Sequence, residues 1–151
     1  MQAWVLAAAV AAGVGVAGVA LAQGDVVAER RTGLREMQAH IEAIGAIVQS
    51  RGDQRQIVER VDQMVPFYRS LPGRFPAATL TPPVAQGTEP GQTRALAAIE
   101  ANRAVFGARA EAMVAALGTL RTAAAAGSVT PDAVRSTIGT CIACHRDFRG
   151  R

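Results

Sequence analysis

Five consecutive residues near the C-terminal end have the types and the spacing needed for covalent attachment of a cofactor. Cys141 and Cys144 are separated by two residues, and His145 follows directly. In such a segment the two thiols form thioether bonds to the vinyl groups of a haem, and the histidine ligates the iron. On a helix all three side chains leave from one face, because residues three and four apart are neighbours. The segment therefore predicts one covalently attached haem c.

Other chemistries also use a Cys-x-x-Cys pair, and each makes a different demand on the rest of the chain. A redox dithiol of the thioredoxin kind is expected beside a βαβ pattern, which the sequence lacks. A zinc site needs four ligands, whereas the sequence offers no further cysteine and only one further histidine, His40. Haem attachment is therefore favoured over a dithiol, a disulfide or a zinc site.

The N-terminal segment has the character of an export signal. Residues 1–22 carry no charged side chain and end in Ala20, Leu21 and Ala22, a small-residue pattern typical of signal cleavage. We interpret 1–22 as a signal peptide and 23–151 as one domain. A retained membrane anchor is the alternative, because about 20 apolar residues can span a bilayer. Because c-type haem is attached outside the bacterial cytoplasm, the signal and the haem motif together predict a periplasmic protein.

Composition limits the classes of partner. The formal net charge is +4, all 16 basic residues are arginine, and the chain has one Trp and one Tyr. No basic run with interleaved aromatic residues is present, so a nucleic-acid partner is not expected. The predicted mature chain is long enough for one four-helix core around a cofactor.

Apolar residues recur at spacings of three and four in four segments, the pattern of helices with one buried face. The predicted helices cover about 25–51, 53–71, 93–126 and the residues from 130 onward. Since no strand pattern is present, the predicted fold class is all-α. The predicted buried faces carry Val27, Leu34, Met37, Ile41, Ile44 and Val48; Ile57, Val61, Met64 or Val65, Tyr68 and Leu71; Leu96, Ile99, Phe106, Met113, Leu117 and Leu120; and Val134, Ile138, Cys141, His145 and Phe148.

Several residues predict where these helices begin and end. Thr130 is a capping residue followed by Pro131, which is favoured at the first helical position. Asp53 and Thr93 are predicted to cap the second and third helices in the same way. Pro66 lies inside the second helix and is predicted to kink it or to end it early.

The segment 74–92 contains too many prolines and glycines to form a helix. It is long for a connection within a helical bundle, so we interpret it as a crossover between two helical hairpins. Phe75 and Leu80 are its predicted anchors in the core. Together these elements predict an antiparallel four-helix bundle with covalent haem near the C-terminal end of the last helix.

Arg30 is unusual because it falls on the apolar face of the first helix, between Val27 and Leu34. One interpretation is an arginine at a helix start that extends its charge to solvent. The other is an arginine that meets a haem propionate or a buried carbonyl. Spacing alone leaves both open. His40 lies beside this face and is predicted to be a partly exposed surface residue.

The pattern resembles the cytochrome c′ family, the class II c-type cytochromes, over nearly all of the predicted mature chain. Residues 141–149, Cys-Ile-Ala-Cys-His-Arg-Asp-Phe-Arg, are similar to the family's Cys-x-x-Cys-His-x-x-Phe/Tyr-Arg ending. Arg30 and Leu34 resemble the family's first-helix arginine, which is followed four residues later by the residue over the open haem face. One departure is Glu100, where members commonly carry tryptophan, and it puts the packing of the third helix in question.

The resemblance implies roles for individual residues. Arg30 would lie near a propionate, Leu34 over the distal face of the iron, and Arg149 on the proximal side near His145. Leucine cannot ligate iron, so we expect a five-coordinate haem. Relatives of the cytochrome c-556 type have methionine at the position aligned with Leu34, and they are six-coordinate, low-spin electron carriers. Met37 is the alternative distal ligand that would make this protein similar to them, although methionine at this spacing more often only fills the core.

Three functions are compatible with this interpretation. The first is electron transfer to redox partner proteins, with Arg135, Arg146, Arg149 and Arg151 around the haem edge attracting acidic partners. The second is binding of small gases such as NO and CO at the open iron. The third is a haem enzyme, which we do not expect, because peroxide cleavage needs a distal acid–base pair that the Leu34 face lacks unless His40 moves in. By analogy with the family, the chain is also expected to form a homodimer.

Overall fold

The structure is a computed structural model that describes residues 15–80, 87–89 and 92–150, with side chains from residue 25 onward. Most of the predicted signal, the residues 81–86 and 90–91, and Arg151 lie outside the described residues. Two 3-10 turns, Leu71–Arg74 and Ala77–Thr79, follow the second helix. The α-helices are α1 (Gly15–Gln49), α2 (Arg55–Ser70), α3 (Ala98–Ala101), α4 (Arg103–Ala125) and α5 (Pro131–Phe148).

The four long helices form the predicted all-α, antiparallel four-helix bundle. Each long helix packs against two others, in the order α1–α2–α4–α5 and back to α1. In the structure the crossover between α2 and α4 runs from 71 to 102, longer than the predicted 74–92, and contains the two 3-10 turns and the short α3. Among the described residues, none of the helices combines the length and the apolar character that a membrane span requires.

The predicted start signal of α5 is confirmed. The backbone amide of Ala133 donates to the Thr130 hydroxyl oxygen at 3.2 Å, and Pro131 is the first helical residue. Asp53 lies one residue before the N-cap position of α2, which Gln54 occupies, but its carboxylate still accepts from the amide of Arg55 at 3.0 Å, the first helical residue. These signals were accurate because a cap is a contact between residues close in sequence.

The structure differs from the predicted helix boundaries at three places. Helix α1 begins at Gly15 rather than at Asp25. Pro66 does not end α2 early, because a proline removes only one helical hydrogen bond and the exposed Pro66 is followed by helix to Ser70. Thr93 caps no helix; its hydroxyl contacts Arg30 and the Ala95 amide instead. The third predicted helix begins at Ala98 and is split at Asn102 into α3 and α4.

The bundle has two ends of different character. At the closed end, Ile44, Ile57 and Leu117 are fully buried, and Leu120 and Val134 complete the core. We call the opposite end, which contains the cavity described below, the cavity end. The predicted anchors Phe75 and Leu80 are buried as expected, at 6% and 1% exposure.

Near the cavity end, α1 and α2 approach closely at Gly33. A Cβ atom at this position would lie 2.2 Å from the Phe67 ring. Glycine therefore allows the Phe67 side chain to pack directly on the α1 backbone.

Candidate haem site

The cavity end encloses a cavity of about 660 Å³, within the usual range for cofactor sites. All four long helices and the crossover contribute to its walls. Every candidate site residue from the sequence lines this one cavity, although they come from two distant parts of the chain: Arg30, Leu34, Met37, Cys141, Cys144, His145 and Arg149.

The haem motif lies on α5 with its cysteines half-buried. The Thr140 hydroxyl next to Cys141 lies 3.3 Å from the Met113 sulfur and donates to the Thr137 carbonyl at 2.7 Å, which ties this part of α5 to α4. Burial raises the pKa of both thiols, that of Cys144 to about 11. Both are therefore neutral thiols near pH 7.

His145 is held in the protonation state that metal ligation requires. Burial, followed by the positive charges of Arg149 and Arg94, lowers the pKa of its imidazole. Since a neutral imidazole is the form that ligates iron, the site favours the ligating form. His40 does not line the cavity; it is half-buried, and its Nδ1 atom has no hydrogen-bond partner among the described residues.

The cavity walls are mainly apolar and aromatic. Phe106 packs edge-to-face against Phe75, with ring centroids 4.9 Å apart, and against Phe148 at 5.3 Å. Tyr68 also lines the cavity, and burial raises the pKa of its hydroxyl. A flat, largely apolar macrocycle fits such walls, because its faces lose contact with water and gain aromatic contacts.

Leu34 and Met37 both line the cavity from α1, but their exposure differs. Met37 is 5% exposed and belongs to the hydrophobic core, whereas Leu34 is only partly buried. Of the two side chains, the leucine is therefore the one that other protein groups cover less completely. Its hydrocarbon side chain offers no atom that can ligate a metal.

Arg30 is fully enclosed, at 2% exposure. The sequence interpretation in which it extends to solvent at a helix start was therefore wrong. It lies well inside α1 and stacks on Phe75, with its guanidinium carbon 4.2 Å from the ring centroid.

Arg149 is placed by pairing between the chain end and the crossover. The Leu96 amide donates to the Phe148 carbonyl at 3.0 Å, and the Gly150 amide donates to the Arg94 carbonyl at 2.7 Å. This short antiparallel contact holds Arg149 at the edge of the cavity beside His145. No sequence pattern indicates it, because the two segments are far apart in the chain.

The sequence also did not indicate several cavity-lining arginines and two buried threonines. Arg109 reaches the cavity from α4 and donates to Asp147 at 2.8 Å, while its Nε is buried without a partner among the described residues. Arg31 binds carbonyls of the crossover, including that of Gln92 at 3.3 Å. Among the described residues, the arginines that line the cavity are Arg30, Arg31, Arg35, Arg94, Arg109 and Arg149. The buried threonines Thr79 and Thr93 hold Arg30.

These features fit a haem better than a metal ion alone. Among the described residues, no group of three His, Cys, Asp or Glu side chains could hold a metal, so the zinc alternative has too few ligands. Two thiols and a neutral imidazole on one helical face match covalent attachment and axial ligation. The arginines supply positive charge that suits two propionates, and the unpartnered Nε of Arg109 is one donor still available.

Fold and site together define a four-helix c-type haem protein, and comparison with known proteins specifies the family. The family model for cytochrome c′ matches residues 25–149. The chain is 30% identical over 140 residues to a cytochrome c′ of Rhodopseudomonas palustris, covering 89% of this chain and 88% of that protein. The chain belongs to the cytochrome c′ family. Members of this family carry covalently bound haem c, and haem c is the cofactor here.

Solved structures agree on the fold. A cytochrome c′ described by its ligand-controlled dimer dissociation is 21% identical, with a TM-score of 0.69 over 93% of this chain and 100% of that one. A nitric oxide complex of a variant of cytochrome c prime from Alcaligenes xylosoxidans is 23% identical, with a TM-score of 0.65 over 85% of this chain and 97% of that one.

The departure from the family pattern at Glu100 does not disturb the core. Glu100 is exposed on α3 and pairs with Arg103, while its neighbour Ile99 is 1% exposed and supplies the buried contact.

Proposed function

We propose that this chain is an exported cytochrome that binds small gases at a five-coordinate haem. Cys141 and Cys144 attach the haem, His145 ligates its iron, and Leu34 covers the opposite face without ligating it. When bound, the haem supplies an iron that changes oxidation state and accepts a neutral diatomic gas at its free position. Arg30 and Arg149 supply positive charge for the propionates.

The observation that carries this proposal is the half-buried Leu34 on the cavity wall contributed by α1. A thioether from Met37 would compete with gases for the iron, but Met37 is packed into the core at 5% exposure. The nitric oxide complex of the Alcaligenes xylosoxidans protein supports NO as the ligand class.

The absorption spectrum of the haem-loaded protein tests this assignment, recorded oxidised and reduced, with and without CO. We expect a high-spin spectrum that changes when CO is added. Leu34→Met should convert it to a low-spin spectrum indifferent to CO, because a thioether then meets the iron. Met37→Leu is the matched control and should leave the spectrum unchanged. If the parent protein were low-spin and Met37→Leu were high-spin, Met37 would be the distal ligand.

The same walls favour binding over catalysis. Peroxide cleavage needs an acid–base pair at the distal face. Among the described residues, no histidine other than His145 lines the cavity. Rapid peroxide consumption by the haem-loaded protein would contradict this part of the proposal.

Export depends on residues 1–22. We expect the protein matured in a periplasm to begin near Gln23, and intact-mass measurement checks this. A mature mass that retains residues 1–22, with the protein in the membrane fraction, would favour the anchor.

Electron transfer is a second candidate function, and one observation on α5 favours it. Ile142, between the two cysteines, is 63% exposed. Arg135 and Arg146 are also exposed on α5, each paired with an aspartate, Asp132 and Asp147 respectively. An apolar centre with charged neighbours suits brief docking of a redox protein.

The docking test compares Ile142→Glu with Val105→Glu, which changes the other exposed large apolar residue of the described chain. Ile142→Glu should slow reduction by an acidic ferredoxin but not by dithionite, whereas Val105→Glu should change neither. If the ferredoxin reduced both variants and the parent at equal rates, Ile142 would not be part of a docking surface.

A second copy of this chain is a further candidate partner. Support comes from the structural neighbour whose dimer dissociates under ligand control. Sedimentation with and without CO measures the oligomeric state directly; a monomer under both conditions at high concentration would exclude the dimer.

A further inference from the structure

The guanidinium of Arg30 is held almost entirely by the crossover. Its Nη1 donates to the Thr79 hydroxyl oxygen at 3.0 Å and to the Arg74 carbonyl at 3.2 Å. Its Nη2 donates to the Thr93 hydroxyl oxygen at 2.8 Å. One side chain of α1 therefore binds the described parts of the crossover on both sides, at 74–79 and at Thr93.

Both threonines present oxygen lone pairs, rather than protons, to the arginine. The Thr79 hydroxyl donates its own proton to the Pro76 carbonyl at 2.8 Å, so its oxygen is free to accept from Arg30. The Thr93 oxygen accepts both from Arg30 and from the Ala95 amide at 3.1 Å. At 1% and 3% exposure, neither threonine exchanges this contact for water.

Arg30 is a buried cation without an anionic partner among the described residues. None of the ion pairs among the described residues includes it. Burial lowers the pKa of Arg30 to about 10, so it still carries its charge near neutral pH. A buried charge is costly unless hydrogen bonds satisfy it. Thr79, Thr93, the Arg74 carbonyl and the Phe75 ring supply these contacts.

A fixed cation in the cavity wall acts on the redox equilibrium of whatever the cavity holds. Oxidation of a haem adds one positive charge, and a nearby cation in a low-dielectric wall opposes that addition. The strength of this effect depends on how firmly the cation is held in position. Because no carboxylate among the described residues pairs with Arg30, its side-chain partners within hydrogen-bond distance are the two threonines, and they fix the direction of the guanidinium.

We propose that Thr79 and Thr93 are positioning residues that fix the Arg30 charge in the cavity wall and thereby raise the reduction potential of the haem. This inference rests on the proposed attachment of haem in this cavity. It assigns the threonines an electrostatic role through Arg30, in addition to their structural role in closing the crossover.

The test is a potentiometric titration of the haem-loaded protein and its threonine variants. Thr79→Val and Thr93→Val keep the side-chain shape but remove the acceptor, so each should lower the reduction potential, and the double variant should lower it further. Thr79→Ser and Thr93→Ser keep the acceptor and should restore the parent value. Thr137→Val is the matched control: Thr137 is equally buried at 3%, bonds the Ala133 carbonyl within α5, and does not line the cavity.

Haem content and thermal midpoint are measured on every variant. Haem-loaded Val variants with the parent potential would overturn the inference, as would Thr137→Val producing the same shift. If the double variant does not fold, the reduction potentials of the single Val variants and of their Ser counterparts test the inference. A parent protein without covalent haem would instead refute the proposed function, and this inference with it.

Discussion

The closed end and the cavity end of the bundle are built from the same helices but differ in how completely they pack. At the closed end, Ile44 and Leu117 are fully buried. At the cavity end, Leu34 and Ile138 occupy equivalent positions on the same helical faces, yet both remain partly exposed. At the cavity end, the apolar faces of the helices therefore continue past the region in which the helices bury one another. The remaining surface is what a flat, apolar cofactor would cover.

The two ends also differ in how polar groups are used. The ion pair of Arg121 with Asp62 lies on an exposed surface. At the cavity end, Arg30 is buried and bound by neutral oxygens, and the crossover carries most of them. The comparison indicates that the cavity end is organised for a ligand and the closed end for stability.

The largest expected effect comes from removing the attachment chemistry. The double variant Cys141→Ala, Cys144→Ala should lose covalent haem completely, because no other thiol is available on the chain. Haem staining after acid extraction measures this. Hydrogen exchange should then show loss of protection at the cavity end and retained protection around Ile57. Haem that survives acid extraction from this variant would contradict the site assignment.

Equal truncations at the two ends should have unequal effects. Leu117→Ala removes a fully buried side chain and should cost about 2–5 kcal/mol in the free energy of unfolding. Leu34→Ala should cost markedly less, because its side chain faces open space, but it should change the rate of CO binding. Urea titration and CO kinetics on both variants provide the comparison. If Leu34→Ala were the more destabilising change, the distinction between the two ends would be wrong.

The close approach of α1 and α2 near the cavity end can be tested with a pair of glycines on one helix. Gly33→Ala should destabilise by about 1–3 kcal/mol, because its Cβ would lie 2.2 Å from the Phe67 ring. Gly45→Ala, where a Cβ meets nothing within 4 Å, should stabilise by about 0.5–1 kcal/mol. Thermal unfolding measures both changes in stability. If both substitutions changed stability in the same direction, the close contact described at Gly33 would be wrong.

The smallest expected effect concerns the surface ion pair. Arg121 lowers the pKa of the Asp62 carboxylate in the folded chain, so the pair stabilises above the ordinary carboxyl pKa and loses that effect as the pH falls. Asp62→Asn should therefore be slightly less stable than the parent at pH 7 and equal to it in acid. Because both side chains are exposed, the difference should be small and should shrink with added salt. If the stability difference between Asp62→Asn and the parent grew on acidification, the stabilising role of this ion pair would be contradicted.

Local features of this protein followed from the sequence. The haem motif, the Thr130 cap with Pro131 and the buried face of α4 each involve residues a few positions apart, where helical geometry relates sequence to space. The family resemblance rested on the same short spacings. These were sufficient for the fold class, the cofactor and a set of candidate residues that the structure brings to one cavity.

Tertiary structure decided which polar groups complete the site. Thr93 has the sequence character of a helix cap, but in the fold its hydroxyl binds Arg30. Thr79 and Arg109 are unremarkable in the sequence, and both acquire their roles from partners more than thirty residues away. Arg30 had two interpretations that spacing left open. A buried charge is satisfied by whichever acceptors the folded chain brings within hydrogen-bond distance, and periodicity along a helix carries no information about acceptors on another segment.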